Sequence, residues 1–330
     1  MSFSRLPLSV RISSIVCVLL AVWLVMDLSH WWSIKEDYSF GYLVPLFCAY
    51  VIYDRWPMIA RIFEPAPKAA PVPDKPVRWM DFIGTAGLVF SAFVFSLGVL
   101  YKGYTGYTLP GSFLMTNGFV GIFLCSALAF SDRRADGTPL DARSRWAFVC
   151  LLIFPALVWL ISAPLMSAIE RMVSVFLLNK VTAVVFGVFD MLGMVIERRA
   201  NVLVLPKGEV GVEDACSGIR SLTGCLFAGS FLAAVFLDRF WKKALMVLTA
   251  LFLAFVTNLG RGLFLTAWAY AYGAESIQGT VHDVAGYAVL GVTVVLLLCL
   301  LPIFNFKLPE PPAELAQGAG EQSDSQGKGS

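Results

Sequence analysis

The sequence predicts an all-α polytopic membrane protein with about eight transmembrane helices and a short extracytoplasmic β-hairpin before the sixth. Three observations predict it. Of 330 residues, 58% are hydrophobic and only 15% charged, whereas a soluble domain is near half apolar and a quarter charged. Apolar runs of about 20 residues, the length that crosses a bilayer, recur along the chain. Lysine and arginine also gather in alternate loops, as the positive-inside bias requires.

The candidate spans are about 12–29, 38–54, 79–100, 109–131, 146–166, 216–237, 244–265 and 282–303. The first follows Arg5 and Arg11 and resembles a signal peptide, but no small-residue cleavage site follows it, so an uncleaved span is expected. The second is short and opens with polar residues. Between the second and third, a proline-rich stretch near 64–76 cannot support a helix interior and reads as an extended linker outside the lipid. The short loops after the first and third spans hold one cation each, Lys35 and Lys102. The loops on the other side hold clusters such as Arg133, Arg134, Arg143 and Arg145, or Arg239, Lys242 and Lys243. This expects both termini inside a cytoplasmic (inner) membrane. One integral membrane domain covers 1–306, with its catalytic core at about 200–303, and a polar 307–330 tail reads as disordered on the cytoplasmic side.

Residues 167–215 form the one sizeable region expected outside the lipid. Its first part, 167–195, reads as an amphipathic helix on the outer surface, with a pair of short embedded helices as the alternative. Residues 201–213 alternate around Pro206-Lys207-Gly208 and read as a hairpin leading into span six.

Net charge is +2, too small to suggest nucleic acid. Seven cysteines are scattered through apolar stretches, with neither C-x-x-C nor H-E-x-x-H. That pattern is neither a disulfide framework nor a metal site, and no cofactor is expected.

Three residues stand out. Cys216 opens span six, Arg261 lies near the end of span seven, and His282 opens span eight. At about 1.5 Å per residue, the 18 to 23 residues separating each from the inner side measure roughly 27–35 Å, which puts all three near the outer interface. The last three spans are consecutive and antiparallel, so they are expected to pack together. A helix N-terminus favours a thiolate, and its free N–H groups suit an oxyanion. The other six cysteines fall within spans. An imidazole can move a proton near neutral pH. An intramembrane arginine is costly and marks a functional site by default. Together they are the parts of a cysteine acyl-transfer site. Arg220 shares a helical face with Cys216, and Asn258 lies three residues before Arg261, positioned to orient it or meet substrate. Gly260 and Gly262 are expected to loosen the helix around Arg261. Asp283 adjoins His282 but points elsewhere on a helix. Other readings are a transporter with Arg220 and Arg261 lining a path, a non-catalytic envelope assembly protein, and a serine nucleophile at Ser217.

These blocks resemble the exosortase/archaeosortase family. The resemblance rests on Asp214, Cys216, Ser217 and Gly218, then Asn258 and Arg261, then His282 and Gly286. The segment 37–45 is also similar to the family's, except that Phe40 stands where the family often has histidine. The resemblance implies a sorting transpeptidase whose catalytic residues are Cys216, Arg261 and His282. Its partners would be exported proteins with a C-terminal tail made of a short motif, a transmembrane helix and a basic cluster, together with an amine acceptor, a lipid amine being one candidate.

Overall fold

The computed structural model describes residues 3–65, 75–165, 167–211 and 219–305. Helix α1 (Leu8–Ile34) leads through a 3-10 turn (Glu36–Leu43) into α2 (Val44–Asp54) and α3 (Trp56–Ile62). Then come α4 (Lys75–Thr105), α5 (Leu109–Phe130), α6 (Ala142–Ser162) and α7 (Ser167–Met191). A sheet of β1 (Glu197–Arg199), β2 (Val202–Leu205) and β3 (Gly208–Gly211) precedes α8 (Ile219–Phe236), α9 (Phe240–Tyr272) and α10 (Thr280–Asn305). Among the described residues, seven helices are long and apolar enough to cross a membrane: α1, α4, α5, α6, α7, α9 and α10. The fold is a polytopic helical membrane protein, as expected.

Two elements differ from the sequence reading, and an alternative left open by it is decided. The second candidate span is a 3-10 turn followed by the short helix α2, with a second short helix, α3, after it. The expected hairpin is present, with Leu205 opposite Gly208, and β1 adds a third antiparallel strand, a pairing of Glu197 with Val204 that alternation around a single turn did not reveal. Residues 167–191 form one uninterrupted helix, as the first reading has it, and not the alternative pair of short helices. By length and composition α7 would cross a membrane. Its contacts hold both of its ends at one end of the bundle. Glu170 in its first turn pairs with Lys35 at 2.6 Å. Phe189 in its last turn packs with Leu203 and Leu205 of the hairpin and with Leu265 and Ala269 of α9. One stripe of α7 (Leu178, Val181, Val185, Phe189) is buried in that cluster, while Met172 and Phe176 face outward.

Polar groups inside the bundle are tied to partners, since an unsatisfied polar group in an apolar medium costs several kcal/mol. Pro155 lies inside α6 and has no N–H for the Leu151 carbonyl. The buried Arg55 guanidinium donates to that carbonyl instead. Asp27, buried in the apolar α1, accepts from Ser112 at 2.6 Å and pairs with Lys102 at 2.6 Å. Trp32 donates its indole N–H to the Ser162 carbonyl at 2.9 Å. Gly41 lies flat on that indole, where a Cβ would come within 2.2 Å of the ring.

Close seams set the relative heights of the helices. A Cβ on Gly118 of α5 would come 2.5 Å from the Phe95 backbone nitrogen of α4. A Cβ on Gly229 of α8 would come 2.4 Å from the Ala250 Cβ of α9. Such contacts let backbones approach where dispersion, not water exclusion, drives association. The Gly229 contact sets Ile219, ten residues toward the hairpin end of α8, level with about residue 260 of the antiparallel α9. Thr223 in the same part of α8 donates to the Asp37 carbonyl at 2.9 Å, tying this end to the turn after α1.

Substituting Gly118 by valine forces a backbone-to-backbone separation. It is expected to destabilise the protein by about 1–3 kcal/mol, the usual cost of overpacking. Thermal unfolding in detergent would show a lowered midpoint, whereas Gly103→Val, at a position with open space around it, leaves the midpoint within error.

Candidate active site

Arg261 sits on the face of α9 turned to α10 and is 9% exposed. Its Nη2 lies 2.9 Å from His282 Nε2 and donates to the His282 carbonyl at 3.2 Å. A guanidinium carries donors only. The short contact to Nε2 therefore uses the ring's lone pair, and the imidazole is unprotonated at that nitrogen in this arrangement. The His282 carbonyl lies in the first turn of α10. Coordination by ring nitrogen and carbonyl together fixes the guanidinium against α10.

Gly286 supplies the floor. A Cβ there would stand 3.5 Å from Arg261 Nη2, ordinary contact distance, so nothing beyond a methyl fits without moving the guanidinium. One turn below, Asn258 is buried at 3% exposure. Beside it, Thr257 and Thr293 share a hydrogen bond of 2.9 Å that pins α9 to α10. Asp283 is exposed and turned away from the pair, consistent with its place on the helix.

The structure thus brings together Arg261, His282 and Gly286, while Asn258 lies buried one turn before Arg261 on the same helix. Arg220 lies in the first turn of α8. Asp214, Cys216, Ser217 and Gly218 fall outside the described residues. Gly260 and Gly262 do not interrupt α9, which runs unbroken from Phe240 to Tyr272. Gly262 is buried and Gly260 is open to the surroundings, so their service is space rather than flexibility. Phe40 stacks on Phe227 of α8 with ring centroids 5.1 Å apart and belongs to the apolar core of the bundle. Among the described residues no group of histidine, cysteine, aspartate and glutamate could hold a metal ion. The Thr257–Thr293 link was not singled out from sequence, because two threonines 36 residues apart carry no local signal.

A family model for the transmembrane exosortase (Exosortase_EpsH) matches residues 31–299. The chain belongs to the exosortase family. No curated protein and no solved structure matches it. The match spans every helix from the end of α1 to most of α10, and so includes the whole of this exosortase's Arg261–His282 site.

With only two histidines in the chain, selective ¹⁵N-histidine labelling gives a spectrum of two rings. Nε2 of His282 is expected to resonate as an unprotonated ring nitrogen and to shift on Arg261→Ala. Gly286→Leu should produce the same shift by displacing the guanidinium, and Gly286→Ala should not. An Nε2 that is indifferent to Arg261→Ala contradicts the contact.

Proposed function

We propose that this exosortase is a membrane-embedded cysteine transpeptidase acting on the extracytoplasmic face of the cytoplasmic membrane. The observation that carries the reading is the direct pairing of Arg261 with His282 at 2.9 Å, at the height where α8 begins. Helix heights support placing the thiol there too. Cys216 precedes Gly224 by eight residues, and His282 precedes Leu290 by eight. A Cβ on Gly224 would meet Leu290 at 3.1 Å, on parallel helices. Cys216 lies three positions before Ile219, and a fully extended chain spans at most about 11 Å over three steps.

In this reading the Cys216 thiol loses its proton to the imidazole, and the thiolate forms a bond to a peptide carbonyl carbon. The carbonyl oxygen becomes an oxyanion that Arg261 stabilises with charge-assisted hydrogen bonds. The intermediate collapses, the C–N bond breaks, and the leaving amine takes the proton from His282. This leaves a thioester on Cys216. An amine acceptor, or water, attacks the thioester and releases the thiol. The substrate is an exported protein cut near its own C-terminal transmembrane helix, and the acceptor amine is a lipid or another envelope component.

The Arg261–His282 contact adds a condition. While the guanidinium occupies the Nε2 lone pair, that nitrogen cannot take a proton. A substrate carbonyl competes for the guanidinium and frees Nε2 as it binds. Base and oxyanion donor are therefore armed together, and only when the carbonyl is in place.

Cys216→Ala is expected to abolish both processing and labelling by thiol reagents at this site. Arg261→Lys, which keeps the charge but loses the planar fork, should lower turnover about 10²–10³-fold, the usual cost of one oxyanion donor. Mass spectrometry of a trapped adduct should find substrate on Cys216. Undiminished processing by Cys216→Ala removes the mechanism.

A further inference from the structure

We infer that the substrate reaches the site sideways through the lipid, laying the junction between its transmembrane helix and the preceding extended segment into a groove between α9 and α10. This rests on the transpeptidase reading. The groove measures about 660 Å³ and Arg261 lines it. Its walls are otherwise apolar, apart from Thr257 and Thr280. Val256 and Phe264 on α9 and Val284 and Val292 on α10 line it and are all exposed at the flank of the bundle. The two helices around it are both long and apolar enough to cross a membrane. An occupant at this height must itself be apolar.

The position of the charge decides between a lipid and a polypeptide. The lining runs from Val256 to Trp268 on α9 and from Thr280 to Val292 on α10, about 18 Å on either helix. Arg261 lies near the middle, with apolar wall above and below it. A phospholipid places its polar group at one end and would want the cation at the mouth of the groove. A polypeptide carries carbonyls along its whole length and can offer one at mid-groove while apolar side chains fill both halves. Gly260 has open space around it, and Ala288 lies across from it. These small residues let a backbone approach Arg261. Val256 and Val292 would then receive the first turns of the substrate helix, and Phe264 and Trp268 the segment before the cut.

A second groove of about 610 Å³ runs between α2, α8 and α10, past Phe231 and Leu298. No charged residue lines it, so it serves as the comparison.

The probe is an exported protein with a C-terminal apolar segment that accumulates uncleaved in cells carrying the Cys216→Ala enzyme. A photoreactive benzoylphenylalanine replacing Val284 in that enzyme should crosslink to the start of the probe's apolar segment. The same label at Leu298 should not. In an otherwise native enzyme, Ala288→Trp fills the groove and should slow processing at least tenfold while Cys216 still reacts with N-ethylmaleimide. Leu298→Trp should process normally. Crosslinking from Leu298 but not Val284, or full-rate processing by Ala288→Trp, overturns the groove while leaving the transpeptidase intact. If Ala288→Trp loses thiol reactivity as well, the Val284 crosslink decides. If no protein accumulates in Cys216→Ala cells, the transpeptidase reading itself fails and takes the groove with it.

Discussion

A guanidinium among apolar helices must find acceptors or it will not stay there. In this exosortase its acceptors include a ring nitrogen and a carbonyl of the same residue, His282. That requirement couples the geometry of the site to the packing of two helices. Arg261 projects from α9, and His282 sits on α10. The two helices must cross where Gly286 leaves room for the guanidinium, and the Thr257–Thr293 bond below holds them in register. A bulkier residue at 286 or a slipped register would break the Arg261–His282 contact. The catalytic proposal and the stability of this corner therefore depend on one contact.

The end of the bundle that carries this pair is built up beyond the helices around it. α9 continues about 18 Å past the level where α8 begins, and the hairpin, α7 and the turn at Ala274–Ile277 pack around its last turns through Leu203, Leu265 and Ile277. Lys207 of the hairpin donates to the Ala271 carbonyl near the end of α9. The chain leading to Cys216 thus departs from a sheet anchored on the same helix that carries Arg261. A fixed point of departure limits where the thiol can be delivered, which is the service a short sheet can give in an otherwise helical protein. The Lys35–Glu170 pair extends this cap to the turn after α1.

Much of the architecture was legible because lipid imposes simple rules. A backbone in hydrocarbon must satisfy itself, so long apolar runs become helices. α4, α5, α6, α9 and α10 fall close to the runs read from composition. The segment 167–191 was harder. Its charges Glu170, Arg171, Lys180 and Asp190 argue for a surface, and its apolar content argues for a span. The structure holds its two ends through Lys35 and the hairpin, neither of which is local in sequence. The short second span was similarly ambiguous, because it opens with polar residues and its packing depends on α6 and α8. Arg55 reads as a loop cation from its position. Only the fold reveals that it satisfies a carbonyl left open by Pro155 on another helix.

The sequence by itself determined that the protein is a bundle of apolar helices and that Arg261 and His282 stand at matching heights on consecutive ones, because helical rise is fixed and the bilayer sets the length. Asn258 was named as a companion by its spacing from Arg261, and Gly286 by resemblance. Tertiary structure decided how Arg261, His282 and Gly286 meet. It set the rotation of α9 against α10, and rotation about a helix axis is not encoded in rise or hydropathy. That rotation turns Arg261 onto the His282 ring, places Gly286 beneath it, and leaves a flank of the same seam open to the surroundings.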